Sequence, residues 1–70
     1  MTFRVWYRNG SARLVSAADA AEARRAAREL AERDAADLGA ACRQAKDKER
    51  ARELAQEWQG CTTIAKVEAL

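Results

Sequence analysis

Asn9-Gly10 joins the runs Phe3-Arg4-Val5-Trp6-Tyr7-Arg8 and Ser11-Ala12-Arg13-Leu14-Val15-Ser16, and it constrains this chain more than any other feature. Asn-Gly between alternating apolar residues is the strongest short-range hairpin signal, because both central positions of a tight primed turn need positive φ. A two-residue turn also fixes the register. On one face it sets Tyr7 opposite Ala12, Val5 opposite Leu14 and Phe3 opposite Ser16. On the other it sets Trp6 opposite Arg13, Arg4 opposite Val15 and Arg8 opposite Ser11. One face is then mainly apolar, and the other is an indole among arginines.

Seventy residues make one domain, and a domain of this size buries a modest share of its surface. Eighteen of the residues are alanine, which favours helix strongly but buries little. Strong helix propensity over a thin core points to a partner surface, either a second copy of the chain or a target protein. The formal charge is +2. It is uneven: the hairpin carries Arg4, Arg8 and Arg13 with no acid, whereas residues 17–59 nearly balance. That total argues against a dedicated duplex-DNA binder, which shows a strongly basic face.

The interior reads as helix. Ser16-Ala17-Ala18-Asp19 fits a capping box, and Ala20, Ala23, Ala27 and Leu30 recur at helical spacing. Trp58-Gln59-Gly60 reads as a helix end with glycine just past it. One helix over 17–59 would be about 65 Å long, too long for a compact domain of this size. A turn near Asp34–Gly39, with Asp34 or Asp37 capping a second helix, gives a helical hairpin instead. A continuous helix paired with a second copy is the rival, but Leu38, Ala41, Cys42 and Ala45 lie on a different face from Ala51, Leu54, Ala55 and Trp58. The stripe is therefore no sustained heptad, and an irregularity is expected near Asp47. Residues 62–70 alternate and are rich in β-branched side chains, which predicts a third strand. Ala65, Val67 and Ala69 would face one way, and Ile64, Lys66, Glu68 and Leu70 the other. The expected fold is α+β: a hairpin over 2–16, helices over 17–59 and a strand over 62–70, in a three-stranded sheet of order 2-1-3 with the helices on one face.

Phe3, Val5, Tyr7, Leu14 and Val67 would then meet the helices. The candidate partner-binding face is the opposite one, with Trp6 as anchor and Arg4, Arg8, Arg13 and Lys66 as charge partners beside Glu68. Three readings compete for it: a binding platform, a solvated sheet face with Trp6 packed under Arg13, and a face covered by the second helix through Leu54 and Trp58. Trp58 joins the partner-binding candidates.

Chemistry finds little footing. Without histidine there is no Ser-His or Cys-His dyad and no zinc pattern around Cys42 and Cys61. Three scattered glycines form no phosphate loop. No catalytic residue, cofactor or metal is expected. The N-terminus lacks a signal-peptide pattern and no run is apolar enough to span a membrane, so the expectation is a cytoplasmic protein with both cysteines reduced.

The opening Phe3–Val15, the Ala/Glu/Arg helix after it and the closing Lys66-Val67-Glu68-Ala69-Leu70 resemble short accessory proteins of phages and prophages. Residues 34–59 lie outside the resemblance. It implies compact proteins, anti-CRISPR and other host-takeover inhibitors among them, that act by binding one host protein. It carries no functional residue over. The functional expectation is a non-enzymatic protein-interaction domain that binds a host protein sterically. The alternatives are single-stranded nucleic-acid binding through the Arg/Trp face and a homo-oligomeric structural module, and a homodimer is compatible with each.

Overall fold

A computed structural model describes all residues, 1–70. The order is β1 (Thr2–Tyr7), β2 (Ala12–Ser16), α1 (Ala20–Asp34), α2 (Ala36–Gln44), α3 (Lys48–Thr62) and β3 (Ile64–Ala69). The sheet is antiparallel with order β2-β1-β3, as expected.

The hairpin forms where Asn-Gly places it, but through a three-residue loop. Gly10 alone has positive φ (90°), so Asn9 is not in a primed turn. Gly10 N–H donates to the Tyr7 carbonyl (3.0 Å) and Tyr7 N–H to the Ser11 carbonyl (2.8 Å). This is a turn at Arg8-Asn9 followed by a left-handed glycine, the other short hairpin loop that Asn-Gly suits. The Asn9 side chain accepts from Ser11 N–H (3.0 Å) and from the Ser11 hydroxyl (2.6 Å), which holds the loop. The extra residue slips the expected register by one: Phe3 pairs with Val15, Val5 with Arg13, Arg4 with Leu14 and Trp6 with Ala12. A one-residue slip swaps the faces of β2. Val15 is therefore buried at 7% exposure, whereas Leu14, expected inside, is 60% exposed. Arg13 moves to the helix side.

α1 starts later than the expected Ser16 cap. Asp19 is its N-cap, accepting from Glu22 N–H (2.8 Å), and Ser16 ends β2. Asp19 and Glu22 stand three apart as a capping box requires. Ala23, Ala27 and Ala31, spaced i, i+4, i+8, form the buried stripe of α1 and pack on Phe3, Val5, Tyr7 and Val15. Small side chains let the helix backbone approach the sheet closely. Tyr7 Oη donates to the Ala27 carbonyl at 2.6 Å. Ile64 and Val67 complete this core from β3.

The helical segment breaks twice. The first break is at Ala35, within the expected turn region, and neither Asp34 nor Asp37 caps α2: its N-cap is Ala35, with no side-chain bond. Asp34 instead bonds Arg13. The second break comes before Asp47, which caps α3 by accepting from Glu49 N–H (3.0 Å), at the expected irregularity. The chain reverses here rather than at 34–39: the helical hairpin is made by α2 and α3, not by α1 and a second helix as expected, because the break at Ala35 leaves α1 and α2 in contact only near their junction. Gly60 does not end α3, which continues to Thr62 with Thr63 as C-cap. The hairpin loop takes over the capping: Asn9 N–H donates to the Gly60 carbonyl (3.1 Å) and Arg8 N–H to the Thr63 carbonyl (2.9 Å). Orphan carbonyls at a helix end need such partners. β3 then opens with a bulge at Ala65, which turns Ile64 to the core side rather than the outer face expected for it. No helix is long and apolar enough to cross a membrane.

Candidate functional site

The outer face of the sheet follows from the registers. Two of its rows, reading β2-β1-β3, are Leu14–Arg4–Glu68 and Ala12–Trp6–Lys66. Glu68 sits between two cations, with Arg4 Nη1 at 3.8 Å and Lys66 Nζ at 3.4 Å. Trp6 is half-buried in the middle strand with Ala12 and Lys66 on either side. A hollow of about 190 Å³ lies alongside, lined by Arg4, Ala12, Arg13 and Leu14.

Of the residues singled out in the sequence, Trp6, Arg4 and Lys66 come together on this face. Arg13 does not. It is on the helix side, bonded to Asp34, so it makes no cross-strand pair with Trp6. Arg8 lies in the hairpin loop beside the C-terminus of α3. Trp58 is elsewhere again: its indole lies against Gly39 of α2, where a Cβ added to the glycine would stand 3.4 Å from Nε1. The helices pack on the other side of the sheet, so Leu54 and Trp58 do not cover Trp6. Leu14 is the residue that sequence reasoning missed. A two-residue loop would put it in the core, and the β-branched Val15 is the signal for the other register.

A second concavity of about 420 Å³ runs between α2, α3 and the end of α1, with Trp58, Gly39, Cys42 and Ala55 in its wall. Cys42 Sγ–H donates to the Ala51 carbonyl at 3.4 Å, and both cysteines are free and half-buried. No three of His, Cys, Asp and Glu converge as metal ligands would. The one perturbed titration is that of Tyr7. Burial pushes its phenol above the usual range, with Arg13 opposing and Asp34 adding to the effect. This is the signature of a core tyrosine at a satisfied hydrogen bond.

The fold and this face define a class: a small α+β domain with a helix-backed antiparallel sheet and one uncovered sheet face. Beyond that class, no family model, curated protein or solved structure matches the chain.

Proposed function

We propose that this chain is a non-enzymatic protein-interaction domain, an accessory or inhibitor protein of a phage or other mobile element that occludes a functional surface of a host protein. The observation that carries the binding part is the uncovered sheet face, where Trp6 on the middle strand stands diagonal to the exposed Leu14 on the edge strand, beside Arg4, Lys66 and Glu68. An aromatic anchor beside an exposed leucine, with charges at the edge, is the composition of a binding hot spot. The shape agrees. A compact chain of this length has a radius of gyration of about 11 Å, and this one has 13.5 Å with extents of 44 × 18 × 14 Å. Its accessible surface is 5010 Å², against about 4,400 Å² for a compact monomer of this mass. The phage setting rests on the resemblance of the two chain ends alone.

The face suits protein better than nucleic acid. With Arg13 and Arg8 elsewhere, the cations around Trp6 are Arg4 and Lys66, and Glu68 lies between them. Phosphate-driven binding needs a denser basic field and weakens steeply with salt.

A photo-crosslinking side chain at Leu14, which is exposed and outside the core, tests the proposal in bacterial host cells. The same group at Arg25, on the solvent face of α1, is the control. The expected result is one defined protein adduct from position 14, lost on Trp6→Ala, with none from position 25. Equal adducts from both positions, or an RNA or DNA adduct at position 14, would overturn it.

A further inference from the structure

The geometry points to a homodimer in which β3 pairs antiparallel with β3 of a second copy, about a two-fold axis through Val67. β3 is an edge strand, bonded to β1 on one side only. Leu70 N–H donates to the Thr2 carbonyl (3.0 Å), and in an antiparallel ladder such bonding recurs at every second residue. Leu70, Glu68 and Lys66 therefore turn their backbone groups inward to β1, while Val67 and Ala69 aim theirs at the open edge.

The sequence of that edge is its own complement. About Val67, Ile64-Ala65-Lys66-Val67-Glu68-Ala69-Leu70 reads as apolar, Ala, charge, Val, opposite charge, Ala, apolar. A second copy placed antiparallel sets Lys66 opposite the other Glu68, and Glu68 opposite the other Lys66. Val67 meets Val67. The backbone permits this centre. Val67 has the outward N–H and C=O needed for the two bonds across the axis, which leaves Lys66 and Glu68 in the positions where opposing side chains are closest. Centring the axis on Lys66 or Glu68 would also bring outward-facing backbone groups together, but it would set Lys66 against Lys66 or Glu68 against Glu68, so the charges select Val67. Charged residues on an edge usually repel a second edge; alternating sign reverses that here. β2, the other edge, holds a single charge, Arg13, and its partner is Asp34.

Because the axis stands perpendicular to the sheet, the six strands run 2-1-3-3-1-2 with all helices on one side. The two Trp6 faces become one surface. The bulge at Ala65 confines the shared ladder to the stretch around Val67. This inference does not depend on the proposed host partner.

Sedimentation equilibrium on the purified chain tests it. The wild type should dimerise. Lys66→Glu, at a side chain already 65% exposed, should weaken the dimer by about tenfold or more, because it places acid against acid twice. Glu68→Lys should do the same, and circular dichroism should show both variants folded. Mixing the two variants should restore association as a heterodimer, and the double exchange Lys66→Glu/Glu68→Lys should restore the homodimer. A wild type that stays monomeric throughout the micromolar range would overturn the inference. So would a dimer indifferent to Lys66→Glu, or a mixture of the single variants that fails to associate.

Discussion

α1 and α2 are both rich in alanine, yet they pack in opposite ways. α1 lays Ala23, Ala27 and Ala31 on Phe3, Val5, Tyr7 and Val15, and the eight-residue buried cluster lies entirely in β1, β2, Ala17 and α1. α2 buries nothing. It meets α3 through Trp58 against Gly39 and one cysteine hydrogen bond, and a groove of about 420 Å³ remains open. Alanine lets a backbone come close but supplies little area of its own. Its value depends on what faces it: a sheet of large side chains makes a core, and a helix that offers α2 chiefly one indole makes a loose arm. The molecule is thus a firm platform of sheet plus α1, carrying a soft α2–α3 hairpin.

The sharpest way to break this comparison is to cut each part once. Val5 is fully buried. Val5→Ala should cost about 2–3 kcal/mol, lowering Tm by at least about 10 °C in a domain of this size. Leu54, buried but outside the main cluster, loses more carbon on truncation. Leu54→Ala should nevertheless lower Tm less, because the loss is capped by the free energy at which the arm opens on its own. A larger shift for Leu54→Ala than for Val5→Ala would show that the arm belongs to the core.

Tyr7 gives a smaller, pH-dependent effect. Its phenol is held above its ordinary value by burial. The folded state therefore holds that proton more tightly than the unfolded chain. The contribution is fully present below the unfolded pKa and is lost as pH rises through the folded one. Alkaline unfolding should lose that component in Tyr7→Phe, which at neutral pH should cost about 1 kcal/mol for the bond to Ala27. The smallest effect should come from Arg13→Gln. Its partner Asp34 is mostly exposed, so the loss should stay below about 1 kcal/mol and shrink further in high salt. Thermal melts at two salt concentrations measure it.

Much of the platform was legible in the sequence. The Asn-Gly hairpin, the alternation of β1, the β-branched tail and Ala23 and Ala27 of the helical stripe pointed to the sheet order and the placement of the helices, whereas Ala20 and Leu30, expected on that stripe, are exposed and Ala31 completes it. What was not legible turned on single residues. Whether Asn-Gly closes a two- or three-residue loop depends on whether Asn9 itself takes positive φ, and that choice decides whether Leu14 or Val15 is inside. Half of the Arg/Trp face dissolved for that reason, since Arg13 changed sides with β2. Gly60 looked like a helix stop, but the hairpin loop caps α3 from outside, a long-range contact no local pattern contains. The break at Ala35 falls in the expected turn region, but no side chain caps α2 there and Asp34 is taken by Arg13.

Native-state hydrogen exchange tests the division between platform and arm most directly. Amides in β1, in the bonded positions of β2 and β3, and in the middle of α1 should exchange only through global unfolding. Those of α2, the 45–47 link and the first turns of α3 should exchange through local opening several kcal/mol less costly. Equal protection of α2 and β1 would contradict the division and make the whole chain one cooperative unit.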